Sequence, residues 1–309
     1  MRSLTAGARK LSHWTVGNAY LLLVLTTAAW GGNAVAGRFA VGEVSPMALV
    51  ALRWLGVVLL VLLFARRQIV AELPVLRTHW RFLAVLGTLG FTVFNALFYT
   101  AAQTTTAINI GIIQGSIPVF VLIGAFLVDR TPVTRLQMLG VTVTMLGVVT
   151  VTAGGDLERL LQLRFAEGDL IMLVACGFYA AYTVGLRRRP KVSALAMFSV
   201  MAVAAFLAAL PLAAAEAATG NLLWPSPTGW AVVAFVMIFP SFLAQLTFMQ
   251  GVKLIGPGRA GVFVNLVPIF AAFFSVLLLG EEFALFHAVA LVLVLGGIWI
   301  AERTKPRTD

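Results

Sequence analysis

Between Trp80 and Pro118 the chain sets out a plan that it repeats 150 residues later. Trp80 returns as Trp230, Asn95 as Gln245, Phe98 as Phe248, Gly111 as Gly261 and Pro118 as Pro268, in one register without a gap. With small slips the register extends outward. Trp30, Gly37 and Ser45 pair with Phe178, Gly185 and Ser193 at an offset of 148, and Gly147 pairs with Gly296 at 149. The chain reads as two copies of a unit of about 150 residues. The copies are 1–153 and 154–309, with the segment 154–168 as the join.

Such a unit could be soluble or embedded in lipid, and composition decides. The 309 residues are 61% hydrophobic and only 11% charged, with a mean hydropathy of +0.98. An apolar run of roughly 20 residues crosses the hydrocarbon layer as a helix. Ten such runs are present: 17–37, 47–65, 82–102, 107–128, 136–153, 169–186, 193–214, 230–251, 260–279 and 284–301. They are continuously apolar and lack the alternation of a membrane barrel. The expected fold is an all-α polytopic membrane protein with ten spans, five per copy, and the lipid bilayer as its surroundings. A net charge of +10 would suggest nucleic acid in a soluble chain. Here it is assigned to loops, and no nucleic-acid partner is expected. Arg2, Arg9 and Lys10 precede the first run without a following Ala-x-Ala site, which reads as a cytoplasmic tail before an uncleaved span. The one cysteine, Cys176, falls inside a span.

Lys and Arg set the orientation. With the amino terminus inside, eighteen of the 22 basic residues fall on the cytoplasmic side. Only Arg38, Arg159 and Arg164 fall outside, and Arg53 lies within span 2. Both termini are therefore expected in the cytoplasm, in a cytoplasmic (inner) membrane. Five spans per copy turn the second copy upside down relative to the first. Loop charges agree: Arg130 and Arg135 follow span 4, whereas Glu281 and Glu282 follow span 9. Two inverted halves can exchange conformations and so open a cavity to either side in turn.

Trp30-Gly31-Gly32-Asn33 in span 1, Pro46 opening span 2, Arg53 within it, Pro118, Pro268 and the Leu279-Gly280-Glu281-Glu282 turn resemble the drug/metabolite transporter superfamily, specifically its ten-helix EamA-like branch. The resemblance covers about residues 17–302. It implies two inverted five-helix repeats, with spans 1–4 and 6–9 around a central cavity and spans 5 and 10 at one side. Within that branch the chain is similar to YddG-type exporters of aromatic and other amino acids. One departure is Asp129-Arg130-Thr131, which stands in the first copy where a Gly-Glu turn is common.

The twelve acids all fall in loops, tails or span ends. An embedded carboxylate is the usual proton carrier and cation site of a transporter. Its absence favours a facilitator over a proton-coupled exporter of drug cations. There is no His/Cys/acid cluster for a metal and no phosphate-binding loop, so no metal, cofactor or catalytic residue is expected. Arg53 is the one basic residue well inside a span. It would either attract a substrate carboxylate or snorkel and pair with a backbone carbonyl. Asn95 and Tyr99 share a face of span 3 with Phe91 and Phe98 at helical spacing. Gln245 and Phe248 occupy the same places in span 8 beside Ser241 and Met249. Such faces suit a cavity wall for a zwitterion with a variable side chain; amides that join helices are the alternative. Trp30, Asn33, Tyr179, Tyr182 and Asn265 complete the candidate substrate set. Pro118 and Pro268 are candidate hinges, and Gly111–Gly115 reads as a close helix contact. The expected function is export of small metabolites by alternating access, amino acids first. Multidrug, purine or sugar-phosphate export on the same fold, a membrane enzyme and a non-transporting scaffold are the alternatives.

Overall fold

The computed structural model describes residues 18–130, 132–156, 158, 165–255, 260–261 and 263–303. Charges of the amino-terminal tail, Arg159, Arg164 and Pro257 lie outside them. Among the described residues nine helices are long and apolar enough to cross a membrane. They are span 1 (Ala19–Phe39), span 2 (Pro46–Phe64), span 3 (Trp80–Ala101), span 4 (Ala107–Asp129), span 5 (Arg135–Thr152), span 6 (Glu167–Arg188), span 7 (Ala194–Ala218), span 8 (Pro227–Ile255) and span 10 (Leu285–Glu302). Span 9 is the shorter apolar helix Val264–Leu279. The protein is an all-helical, ten-span membrane fold.

The segment 66–81, expected as a loop, contains the helix Arg66–Thr78. Leu76 is buried while Arg66, Arg67 and Arg77 are exposed, so the helix is amphipathic rather than membrane-spanning.

The pairing of helices follows the duplication. Span 2 packs along span 7, and span 5 along span 10 in the most extensive interhelical contact. Span 1 packs against spans 8 and 9, span 4 against span 9, and span 6 against spans 3 and 4. Spans 5 and 10 approach so closely that a Cβ on Gly140 would lie 2.5 Å from the carbonyl oxygen of Gly297.

The span 2–span 7 pair is capped reciprocally. The Ser45 hydroxyl donates to Glu216 Oε2 at 2.5 Å, and the Met47 and Ala48 N–H groups donate to the same carboxylate at 3.3 and 3.2 Å. At the far end, the N–H of Ser193, the repeat equivalent of Ser45, donates to Glu72 Oε2 at 2.6 Å. Each copy thus supplies the acid that satisfies a helix start in the other.

Backbone irregularities are duplicated too. Span 3 contains the π-helical segment Thr88–Val93 and span 8 the segment Met237–Leu243. Arg130 and Gly280 lie 150 apart and both adopt left-handed backbone, at φ 53° and 66°. The departure at Asp129-Arg130-Thr131 therefore changes the residue and keeps the turn. Its chemistry does differ: Asp129 pairs with Arg187 and Arg188, whereas Glu281 accepts the N–H groups of Ala107 and Ile108 at 2.8 and 3.0 Å at the start of span 4.

Candidate functional site

Two adjoining cavities run into the bundle. The wide one, about 630 Å³, reaches Arg187, Arg189 and Glu302 at the ends of spans 6 and 10. The deep one, about 130 Å³, continues from it to Arg53. They share Trp30, Pro118, Tyr179, Gln245 and Asn265. Phe248 and Tyr182 line the wide cavity; Asn33, Arg53, Asn95 and Pro268 line the deep one. Spans 5 and 10 are not wholly to one side, because Gln137 and Ile298 reach the wide mouth.

Arg53 organises the deep end. Its side chain donates from Nε to Ser241 Oγ at 2.6 Å, and from Nη1 to Asn95 Oδ1 at 2.7 Å, Tyr99 Oη at 2.5 Å and Asn33 Oδ1 at 3.3 Å. Tyr99 in turn donates to Asn33 Oδ1 at 2.9 Å. One guanidinium therefore ties spans 1, 2, 3 and 8 together. It neither snorkels nor pairs with a backbone carbonyl, and no described carboxylate pairs with it.

The π-helical segments explain how span 2 meets both copies. Arg53 holds Ser241 of span 8, while Trp54, the next residue, stacks on Phe91 of span 3 at 4.7 Å between ring centroids and 10° between planes. Phe91 and Ser241 are repeat equivalents, each within its π segment. An inserted residue widens the helix and re-aims its faces. The face expected in span 3 is divided. Phe91 and Asn95 reach the deep cavity, whereas Phe98 and Tyr99 are packed away from both. Tyr99 is thus a partner of Arg53 rather than cavity wall.

The other copy behaves differently. Phe248 and Met249, the equivalents of Phe98 and Tyr99, line the wide cavity. Trp30 stacks on Phe248 with ring centroids 5.3 Å apart and donates from Nε1 to the carbonyl of Pro240 at 3.1 Å. Gln245, Asn265 and the hydroxyls of Tyr179 and Tyr182 make no hydrogen bond to any described residue, which leaves them free to meet a solute.

Both candidate hinges sit where a helix restarts. Span 4 breaks into a turn at Gly115 and Ser116 and resumes at Ile117, with Pro118 in its first turn. Span 9 passes through a 3₁₀ turn, Val264–Leu266, and resumes with Pro268 in its first turn. Proline supplies no N–H to the carbonyl four residues earlier, so the chain bends there at little further cost.

The end opposite the mouth is shut. Arg38 Nη1 donates to the Ala102 carbonyl at 2.6 Å, and Ser226 pairs with Glu43. The Glu216 and Glu281 caps lie at this same end. Asp169, expected at a span end, is indeed there but buried, accepting from the Thr105 hydroxyl at 2.5 Å and from Asn109 Nδ2 at 3.3 Å. Sequence reasoning passed over Trp54, although a second tryptophan at mid-span beside Arg53 carried the same signal as Trp30.

A duplicated ten-span bundle enclosing a one-sided cavity defines a membrane transporter. The EamA-like transporter family model matches twice, over residues 17–153 and 166–302. This chain belongs to the EamA-like transporter family. It is similar to the uncharacterized transporters YyaM and YetK of Bacillus subtilis. YyaM is 28% identical over 92% of this chain and 93% of its own length. YetK is 27% identical over 94% and 88%. A solved protein crystal structure shares the fold with a TM-score of 0.61 at 22% identity, over 92% of this chain and 96% of that one.

Proposed function

We propose that this transporter moves amino acids, aromatic and other neutral ones first, out of the cytoplasm by alternating access. The observation that carries the reading is the cavity itself: Arg53 at its deep end with no carboxylate partner among the described residues, then free amides, then aromatic rings towards the mouth. A charge at mid-membrane costs roughly 2.5–3.5 kcal/mol on insertion scales. A substrate carboxylate would offset that cost, and the aromatic wall would take an apolar or ring-bearing side chain.

The bias of Lys and Arg towards one side supports a mouth and both termini facing the cytoplasm. The state described is then inward-open, ready to load substrate for export. Spans 3–4 and 8–9 rock about Pro118 and Pro268 to open the other side. The membrane is the cytoplasmic one. No embedded acid lines the cavities among the described residues, which suits a facilitator.

The test is flux of labelled phenylalanine, threonine and lysine in proteoliposomes, with and without a proton gradient. Saturable, protein-dependent flux that ignores the gradient is expected. Strict dependence on the gradient overturns the facilitator reading and makes Asp169 the first residue to substitute. No flux of any of the three, from folded protein, overturns the amino-acid reading.

A further inference from the structure

Polar atoms without partners are rare inside proteins, and each one requires a reason. Four buried side-chain atoms lack a hydrogen bond among the described residues: Trp54 Nε1, Asn109 Oδ1, Gln114 Oε1 and Thr144 Oγ1. Two of the four, Trp54 Nε1 and Gln114 Oε1, belong to residues lining the small deep cavity. They are chemically opposite, since an indole N–H only donates and an amide oxygen only accepts.

The donor side has a second member. Arg53 uses Nε and Nη1 in its network, while Nη2 makes no hydrogen bond to any described residue. Its guanidinium carbon lies 5.5 Å from the centroid of the Trp54 ring. Both side chains are almost fully buried, with 5% and 2% exposure. Two neighbouring side chains in contact therefore each keep an unused N–H donor, one of them charged, with no acceptor among the described residues.

The acceptor side also has a second member. Pro118 has no N–H to offer the main-chain carbonyl of Gln114, four residues before it. The helix breaks at Gly115 between them. Gln114, which lines the same cavity, thus has a side-chain oxygen without a partner among the described residues and a main-chain oxygen without its usual helical donor.

We infer that the deep cavity is a zwitterion subsite: Arg53 and Trp54 hold an α-carboxylate, and Gln114 holds the α-ammonium. This rests on the amino-acid reading above and adds which atoms recognise the backbone of the substrate. The variable side chain then points back into the wide cavity, towards Trp30, Tyr179 and Phe248. Recognition of the backbone is strict and recognition of the side chain is lax, because the wide space holds rings and short chains alike.

The experiment uses full-length purified protein and three ligands of similar shape: phenylalanine, phenethylamine without the carboxylate, and 3-phenylpropionate without the ammonium. Binding is measured for the parent chain, Trp54→Phe and Gln114→Leu. Trp54→Phe keeps the ring stacked on Phe91, and a thermal melt checks that both variants fold. Phenylalanine is expected to bind the parent chain at least about ten-fold more tightly than either analogue, the scale of one lost charge-assisted hydrogen bond. Trp54→Phe should weaken phenylalanine and 3-phenylpropionate and spare phenethylamine. Gln114→Leu should weaken phenylalanine and phenethylamine and spare 3-phenylpropionate. If phenylalanine binds but both variants affect all three ligands alike, or none of them, the subsite assignment is wrong while the amino-acid reading stands. If no ligand binds folded parent protein, the amino-acid reading falls and takes the subsite with it.

Discussion

A Cβ on Gly111 would come within 2.3 Å of the Ala271 methyl carbon, so spans 4 and 9 are in contact at that point. A Cβ on Gly261, the repeat equivalent of Gly111, would meet nothing within 4 Å among the described residues. One copy of the contact is made at the shut end, and the other is unmade at the mouth. Ala271 lies 150 residues after Val121, so the missing partner of Gly261 is Val121. Both residues line the wide cavity. Cysteines placed at Val121 and Gly261, in a Cys176→Ala background, should cross-link in membranes and stop transport, with a reductant restoring it. A pair that never cross-links under oxidant, in a transporting protein, would refute the exchange of contacts.

Tyr99 and Gln245 separate stability from binding. Tyr99→Phe removes one hydrogen bond from Arg53 and one to Asn33, at a residue that itself lines neither cavity. Its cost is about 1.5–3 kcal/mol, the scale of a bond to a charged group. The melting temperature should drop while the affinity of the folded protein changes little. Gln245→Leu leaves no protein group unpaired, so stability should hold while affinity falls. Thermal melts and ligand titrations on the same preparations decide it; the reverse pattern would exchange the two roles.

Glu216 and Glu281 hold the shut end by capping spans 2 and 4. Each cap is worth about 0.5–2 kcal/mol. The double variant Glu216→Gln, Glu281→Gln should bias the protein towards the other state. A cysteine replacing Asn109, near that end, should then react faster with an impermeant maleimide applied on the side opposite the termini. Unchanged labelling would show that the caps serve helix stability alone.

Gly297 tests the span 5–span 10 contact. A Cβ there would meet Thr144 Oγ1 at 2.3 Å and the Gly140 carbonyl oxygen at 2.5 Å. Gly297→Leu should destabilise the protein by overpacking, with a typical cost of about 1–3 kcal/mol. Neither Gly140 nor Gly297 lines either cavity, so ligand affinity per folded molecule should persist. Loss of binding at full stability would contradict a packing role.

Duplication and span number were legible in the chain because both are written in features that composition cannot blur: repeated Gly, Pro and Trp, and apolar runs of fixed length. Arg53 was legible because a lone mid-span charge has few explanations. Its partners were only partly so. Asn33, Asn95 and Tyr99 stand out as polar groups, but the reach of Arg53 to Ser241 depends on the crossing of spans 2 and 8. The π segments left no mark in the helical spacing, and neither did the burial of Phe98 and Tyr99 away from the cavities, since their equivalents Phe248 and Met249 line one. The helix Arg66–Thr78 was hidden by its charges, which resemble those of a loop until Leu76 is seen to be buried.

The reciprocal caps have a consequence for biogenesis. Ser45 is made early, but the Glu216 that completes its end of span 2 follows 171 residues later. Ser193, by contrast, finds Glu72 already synthesised. The first half therefore leaves the ribosome with an unfinished helix start, and only the emergence of span 7 can complete it. The two halves mature together, and the younger one closes the older.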